Sequence, residues 1–447
     1  MIQELDLRIP IQDYSLNSTL NLKEVANPGE QATMNAVIFE LLEKTKFFGR
    51  FVIFFLSVGI HKSFGVLLPY LVAGLDTDVA MVGWAYGFYG GLLFLIGPIS
   101  GALTLYYGAR SVCIVGGVLA AIGIIMSSSV ASPIQFCSSL DWAWANNTAK
   151  YPTSLRQLPD SFALANGISI SGASFGMMVI PPMAERLVEE YGWRGAVLLI
   201  GAIDAHMVFA ASLLKSSKHE STKKGYLRMN DNDSKDIETR SLKDILLASL
   251  DVKLFALEPL IIFYDIIIFF FIIIYSAWTV FLVPHAIVRG ISPINAAYLS
   301  TVAGLCNLFG RIAYAPIIDK GIMDSRDMFA LLSALNAGLF IFDSYFNTYT
   351  LMSFSAAVAG FVIGAGNSVW TMIIKQFVDE CSVGTFIGAL GWTHLFSGIG
   401  SMISSPLVGL SYDRLQSYDL VFLMMGIISA LTCLFLGAVR VIHKYVA

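Results

Sequence analysis

Phe51 to Ala73 reads FVIFFLSVGIHKSFGVLLPYLVA, an apolar run of bilayer-spanning length with one lysine, Lys62, near its middle. A charge at that depth costs at least about 2.5–3.5 kcal/mol on insertion scales, so it is expected to face a cavity or a partner rather than lipid. A second cation, Arg311, is embedded in a late apolar run in the same way. Two isolated cations among hydrophobic helices point to a pathway for an anionic solute.

Composition fixes the class to which such a run belongs. Of 447 residues, 56% are hydrophobic and 13% charged, with a mean hydropathy of +0.70, which is the make-up of an all-α polytopic membrane protein. The net charge of −4 is small, and no basic stripe interleaved with aromatics appears, so nucleic-acid binding is not expected. Cys113, Cys137, Cys306, Cys381 and Cys433 lack CxxC spacing, which supports neither a disulfide framework nor a metal site. No cofactor motif is present. HExxH, GxSxG and paired carboxylates on one span are also missing, which argues against an intramembrane enzyme.

Apolar spans are expected near 51–73, 81–105, 111–131, 161–183, 193–214, 259–283, 295–318, 328–346, 350–374, 384–410 and 419–441. The expected organisation is a polar tail (1–48), an N-terminal helical bundle (49–214), a linker (215–253), a C-terminal bundle (254–442) and a short tail (443–447). The linker carries nine Lys/Arg among nearly as many acids, which suits a flexible cytosolic segment, and both termini are expected on that side. The first 46 residues lack the regions of a signal peptide. GxxxG spacing recurs at Gly83/Gly87, Gly97/Gly101, Gly172/Gly176, Gly360/Gly364 and Gly384/Gly388, a pattern that lets helices approach closely.

One region breaks the pattern. With Arg110 and the linker both cytosolic, the segment carrying Glu185, Arg186, Glu189 and Glu190 is expected to be an outward loop. The chain must then cross once between 132 and 160, yet Asp141, Asn146, Asn147, Lys150, Arg156 and Asp160 lie there. A fourth helix is thus expected to be missing or replaced, leaving about eleven spans, as in a splice product or an erroneous gene structure. The run from Leu254 to Val288 is long and dense in Ile and Phe, and a second irregular junction is expected there. Asn146-Asn147-Thr148 fits a glycosylation acceptor, and Trp84, Trp193 and Trp278 read as interfacial anchors.

Several motifs together resemble the monocarboxylate transporter family of the major facilitator superfamily. They are His61-Lys62-Ser-Phe-Gly-Val-Leu-Leu68; Gly97-Pro98 with Tyr107-Gly108-Ala-Arg110 and Gly116-Gly117; Leu164-Ala165-Asn-Gly167 through Gly172-Ala-Ser-Phe-Gly176; Gly310-Arg311 with Asp319; and Gly409-Leu-Ser-Tyr-Asp413. The resemblance implies two six-helix bundles around a central cavity, alternating access, a plasma-membrane location and a small organic anion as substrate. Proton symport and a single-span accessory glycoprotein are also implied. By the same resemblance Lys62 and Arg311 bind the carboxylate, and Arg110, Asp319 and Asp413 serve gating or structure.

Departures from the family pattern are specific. Phe47-Phe48-Gly49-Arg50 replaces the acidic Gly/Trp motif before the first helix, and Arg156-Gln-Leu-Pro-Asp160-Ser161 replaces the start of the fifth-helix signature. Proton-coupled members carry an aspartate one turn before the eighth-helix arginine, where this chain has Asn307, an amide expected with Lys62 and Arg311 among the substrate-binding residues. Replacement proton carriers or cavity groups are sought in His61, Asp204, His206 and His394, and in Asp265. Each also has a plain reading as a hydrogen-bonded packing residue. Two rivals stay open: uniport of an aromatic amino acid or hormone-like solute, and a truncated isoform that does not transport.

Overall fold

Leucine, isoleucine and phenylalanine line every face of the stretch from Leu260 to Val288, so no side of a helix built from it favours water. Such a helix belongs inside a bundle. The computed structural model describes residues 28–96, 99, 103, 107, 109–141, 162–214, 260–378 and 383–446. In it Leu260–Val288 is one continuous helix, with Ile267, Ala277, Trp278, Phe281 and Ala286 fully buried. Apart from one 3₁₀ turn, every regular element among the described residues is α-helical.

In chain order the helices are α1 (Pro28–Gly74), α2 (Val79–Leu95), α3 (Ala109–Ser127), α4 (Pro133–Asp141), α5 (Phe162–Asp204), α6 (His206–Ser212), α7 (Leu260–Val288), α8 (Pro293–Ala313), α9 (Ala315–Asp319), α10 (Ser325–Ile341), α11 (Tyr349–Val378), α12 (Val383–Leu415) and α13 (Tyr418–Val446). The 3₁₀ turn, Asp343–Tyr345, follows α10. Seven stretches are long and apolar enough to cross a membrane by length and composition, among them Phe48–Gly74, Ile261–Val288 and Pro293–Ile318. The two runs of α5 and the helices α2, α10 and α12 lie at further spans expected from the sequence, although α2, α10 and α12 are not among those seven.

α5 is two helices joined at Gly192, whose φ of 68° lies in the left-handed region that glycine alone adopts without strain. Two expectations are corrected here. The segment with Glu185, Arg186, Glu189 and Glu190 is not a loop: helix continues to Tyr191, and Glu185 is fully buried with an oxygen 2.6 Å from the Tyr70 hydroxyl. A buried carboxyl held by a phenol lets the helix run past the point where charge counting ended it. Nor is there an irregular junction within Leu260–Val288, because packing on all faces keeps that helix continuous. Residues 254–259 lie outside the described set.

The expected break at the fourth span is only partly visible. α4 is described over nine residues, up to Asp141, and packs on α2 and α3. Residues 142–161, with the acceptor sequon at Asn146, lie outside the described residues, as does the whole 215–253 linker.

Close packing follows the glycine spacing. Gly172 and Gly176 place α5 on the backbone of α1 at Phe51 and Phe55, while Gly360 and Gly364 place α11 on α8 at Ala303 and Asn307. The remaining described pair, Gly83 and Gly87, faces the backbone of α12 at Ser405 and Met402. α2 thus runs against α12, and α5 against α8, so each of these contacts joins the N-terminal helices α1–α6 to the C-terminal helices α7–α13. Such small-residue seams are what membrane helices use in place of a hydrophobic drive.

Candidate functional site

Lys62 reaches its position because α1 is thin on that side. Gly65, three residues on and therefore on the same face, lies against the Thr279 and Val280 carbonyls of α7. Gly59, three residues before Lys62, lies against Gly176 and Ile180 of α5, so the two glycines flank the lysine. Held between those helices, Lys62 is only 3% exposed. Its Nζ donates to Thr279 Oγ1 at 2.9 Å and sits 3.7 Å from the centre of the Tyr275 ring. Both partners are on α7, so the contact bridges the two sets of helices. Among the described residues no carboxylate pairs with Lys62. A hydroxyl and a ring quadrupole offset part of the desolvation cost of the ammonium and leave its charge uncompensated.

Arg311 lies on α8, and its charge is close enough to act on the Lys62 ammonium. The Nε of Arg311 donates to Asn307 Oδ1 at 3.0 Å, one turn earlier on the same helix. The Asn307 oxygen also accepts from Ser174 Oγ of α5 at 2.8 Å, and its Nδ2 donates to the Gly360 carbonyl of α11 at 3.2 Å. Asn307 is therefore a buried tie among three helices that orients the guanidinium. The sequence placed it among substrate-binding groups; its amide atoms are all engaged with protein.

A ring of polar aromatics continues from Lys62. His61 Nε2 is 2.8 Å from the Tyr86 hydroxyl, and the ring packs on Tyr86 and Tyr89 of α2 at 4.7 and 5.3 Å. Tyr86 lies near Tyr275, the residue under Lys62, and Tyr89 near the buried Asp204. Lys62, Arg311, Asn307, His61 and Asp204 are thus brought into one connected region.

The other candidates fall elsewhere. His206 is exposed, its Nδ1 3.1 Å from the Ile203 carbonyl, and His394 packs edge-on to Phe94 at 6.2 Å. Arg110 is exposed at the start of α3, and Asp319 ends α9. Asp413 does clear work: its carboxylate accepts from the Val79 and Ala80 amides at 3.3 and 2.8 Å, capping α2 from α12. The N-cap residue of α2, Asp78, makes no such bond, so the cap comes from the opposite bundle. Trp278 corrects the anchor reading, being fully buried in the core, whereas Trp84 is 43% exposed.

Asp265, offered by the sequence as a replacement proton carrier, is buried on α7 and accepts from Thr393 Oγ1 of α12 at 2.8 Å. Two features escaped the sequence reading. Thr279 and Tyr275 carry no signal that separates them from other apolar-span residues. Where α7, α13 and the turn after α10 meet, Arg289 bonds Asp343 and Asp419 at 3.3 and 2.6 Å, with His285 3.3 Å from Asp343. His285, Asp343 and Asp419 lie close enough to hold a metal, but the Arg289 guanidinium already occupies both carboxylates, so the group fits an ion-pair network better. Burial pushes the Asp343 carboxyl up to about 7; Arg289 opposes this and Asp419 adds to it.

Residues 50–388 match the Major Facilitator Superfamily, and the chain belongs to that family of membrane transporters. It is not an enzyme by that membership. Among curated relatives it is 22% identical over 386 residues to "Monocarboxylate transporter 12" of Xenopus laevis, covering 82% of each chain. It is 24% identical over 395 residues to "Monocarboxylate transporter 2" of Rattus norvegicus, covering 84% of this chain and 79% of the relative. Among solved structures it superposes on the nucleoside transporter NupG with a TM-score of 0.67 at 15% identity, over 89% of this chain and 99% of that one, a likeness of fold.

Proposed function

We propose that this chain moves a small monocarboxylate or related organic anion across the plasma membrane by alternating access, with both termini cytosolic. The observation that carries this reading is Lys62, a cation buried at mid-span whose described partners are a hydroxyl and a ring. An ammonium has three donors, so a carboxylate can join Thr279 on Lys62 without displacing it. Arg311, oriented through Asn307, offers a planar fork suited to a carboxylate. The relatives named for monocarboxylates support the same class of solute.

The placement of the bonds supports alternating access. The Lys62–Thr279 bond and the Asp413 cap both join the N-terminal to the C-terminal helices, and both must open when the bundles rock apart at that end. A solute anion on Lys62 would offset the loss of Thr279, linking occupancy to opening. The Tyr275 ring beneath Lys62, with Tyr86 nearby, favours as a second reading an aromatic amino acid or hormone-like solute. Uptake of labelled lactate and of labelled tyrosine into proteoliposomes, with and without a pH gradient, separates the two. Lactate uptake that depends on Arg311 is expected; equal uptake by the wild type and Arg311→Ala would remove the anion site.

A further inference from the structure

Away from the Lys62 region, α7, α11 and α12 enclose a second polar site in the C-terminal bundle. Its walls include Tyr264 and Asp265 of α7, Trp370 of α11 and Thr393 of α12, and the rest is aliphatic. The free space among them has room for about one water molecule. An organic anion cannot fit there. Asp265 is 1% exposed; Oδ1 takes the Thr393 hydroxyl, and Oδ2 is buried with no hydrogen-bond partner among the described residues. Trp370 Nε1, on the same wall, is likewise without a partner.

We propose that Asp265 is a proton-binding site, with the proton carried on Oδ2, and that its occupancy couples a proton gradient to movement of α7 during transport. This rests on the transport reading above and adds the coupling ion to it.

The donor set decides between occupants. A sodium-sized cation needs several oxygen ligands, whereas the side chains here supply one carboxylate and the Thr393 hydroxyl, with the Tyr264 hydroxyl engaged by Arg326, against Ile261, Ile373, Ile374 and Ala389. A proton needs only the carboxyl. An ionised carboxylate in such a place, with one bond and no countercharge among the described residues, carries a large desolvation cost, and taking up a proton removes it. The step is simple: one O–H bond forms on Oδ2 from an aqueous proton and breaks on release, with no change in oxidation state.

Charged and titratable groups on the packed elements do not fill the role of partner. On α7 itself Tyr264 engages Arg326 at the start of α10, and Arg326 is already paired with Asp324 at 2.8 Å, with Asp327 one turn on. On α12 His394 turns its ring to Phe94, and on α8 Arg311 is bonded to Asn307. The side chain of Lys375 on α11 and those of α13 beyond Val439 lie outside the described residues. Coupling to the solute site has a direct route through one rigid element. Asp265 and Tyr275 are ten residues apart on α7, about 15 Å along its axis. Helix α12, which carries Thr393, also forms the seam with α2.

The test uses the full-length protein in proteoliposomes and, separately, an infrared titration of the purified protein in lipid. Asp265→Asn, which mimics the protonated carboxyl, should lose all stimulation of labelled-lactate uptake by an inward proton gradient while keeping lactate–lactate exchange. The infrared band of a protonated carboxyl should be present in the wild type, vanish with rising pH and be missing in Asp265→Asn. Should that variant not assemble, the near-isosteric Thr393→Val must change the pH at which the band disappears. An undiminished gradient response in Asp265→Asn, or no protonated band that depends on Asp265 or Thr393, overturns the proposal. If lactate is not the solute, wild-type exchange fails as well, while the infrared titration still reports on Asp265.

Discussion

Replacing Asn307 by leucine, similar in size but without polar atoms, tests whether that amide acts through Arg311. Three hydrogen bonds disappear: from Ser174 Oγ, from Arg311 Nε and to the Gly360 carbonyl. At about 1 kcal/mol net for each, the folded protein should lose roughly 3 kcal/mol, and more if the Ser174 hydroxyl stays buried without an acceptor. Release of the guanidinium from a fixed orientation should cost the solute about 1–2 kcal/mol of binding, a rise in KM of roughly five- to thirtyfold. The assay is initial-rate uptake of the labelled anion over a range of concentrations, normalised to folded protein by size-exclusion profile. The same substitution in an Arg311→Ala background should change KM no further, since there is then no arginine to position. A large additional loss in that background would show that Asn307 touches solute directly and refute the positioning role.

Removal of the Asp413 cap by Asp413→Ala should destabilise the closed seam between α2 and α12 by about 0.5–2 kcal/mol, seen as faster labelling of a cysteine introduced at that end of α2. Gly87→Val places a branched side chain against the Met402 carbonyl and should cost about 1–3 kcal/mol of that same contact, slowing transport without altering inhibitor affinity in equilibrium binding. Asp343 gives a pH dependence of definite sign. Its carboxyl is held near 7, above the ordinary value of 3.8, so the folded state binds the extra proton between those values and stability falls as pH rises through that window. Thermal unfolding from pH 4 to 8 should show this slope, and Asp343→Asn should flatten it.

The sequence disclosed the class of fold through run length and small-residue spacing, because in a bilayer both are imposed by the solvent. Gly172/Gly176 and Gly360/Gly364 were legible as contact points before their partners were known. Lys62 and Arg311 were legible because a charge inside an apolar run is costly wherever the helix lies. What a neighbour does to a charge was not legible. Glu185 read as a loop residue because its partner, Tyr70, is 115 positions away, and the sequence does not record that pairing. Thr279 under Lys62, Ser174 on Asn307 and Thr393 on Asp265 are hydroxyls that a one-dimensional pattern treats as filler. Trp278 failed for the same reason: an indole suits an interface or a core, and only the packing of α7 decides between them.

The central claim is that Lys62 and Arg311 act on one bound anion, and a double-mutant cycle in solute binding measures it most directly. Kd is determined by equilibrium binding for the wild type, Lys62→Met, Arg311→Ala and the double variant. The account predicts that each single change weakens binding and that the two effects are coupled, with an interaction energy of roughly 0.5–3 kcal/mol. Strict additivity, or single variants that bind the anion as tightly as the wild type, would contradict a shared site.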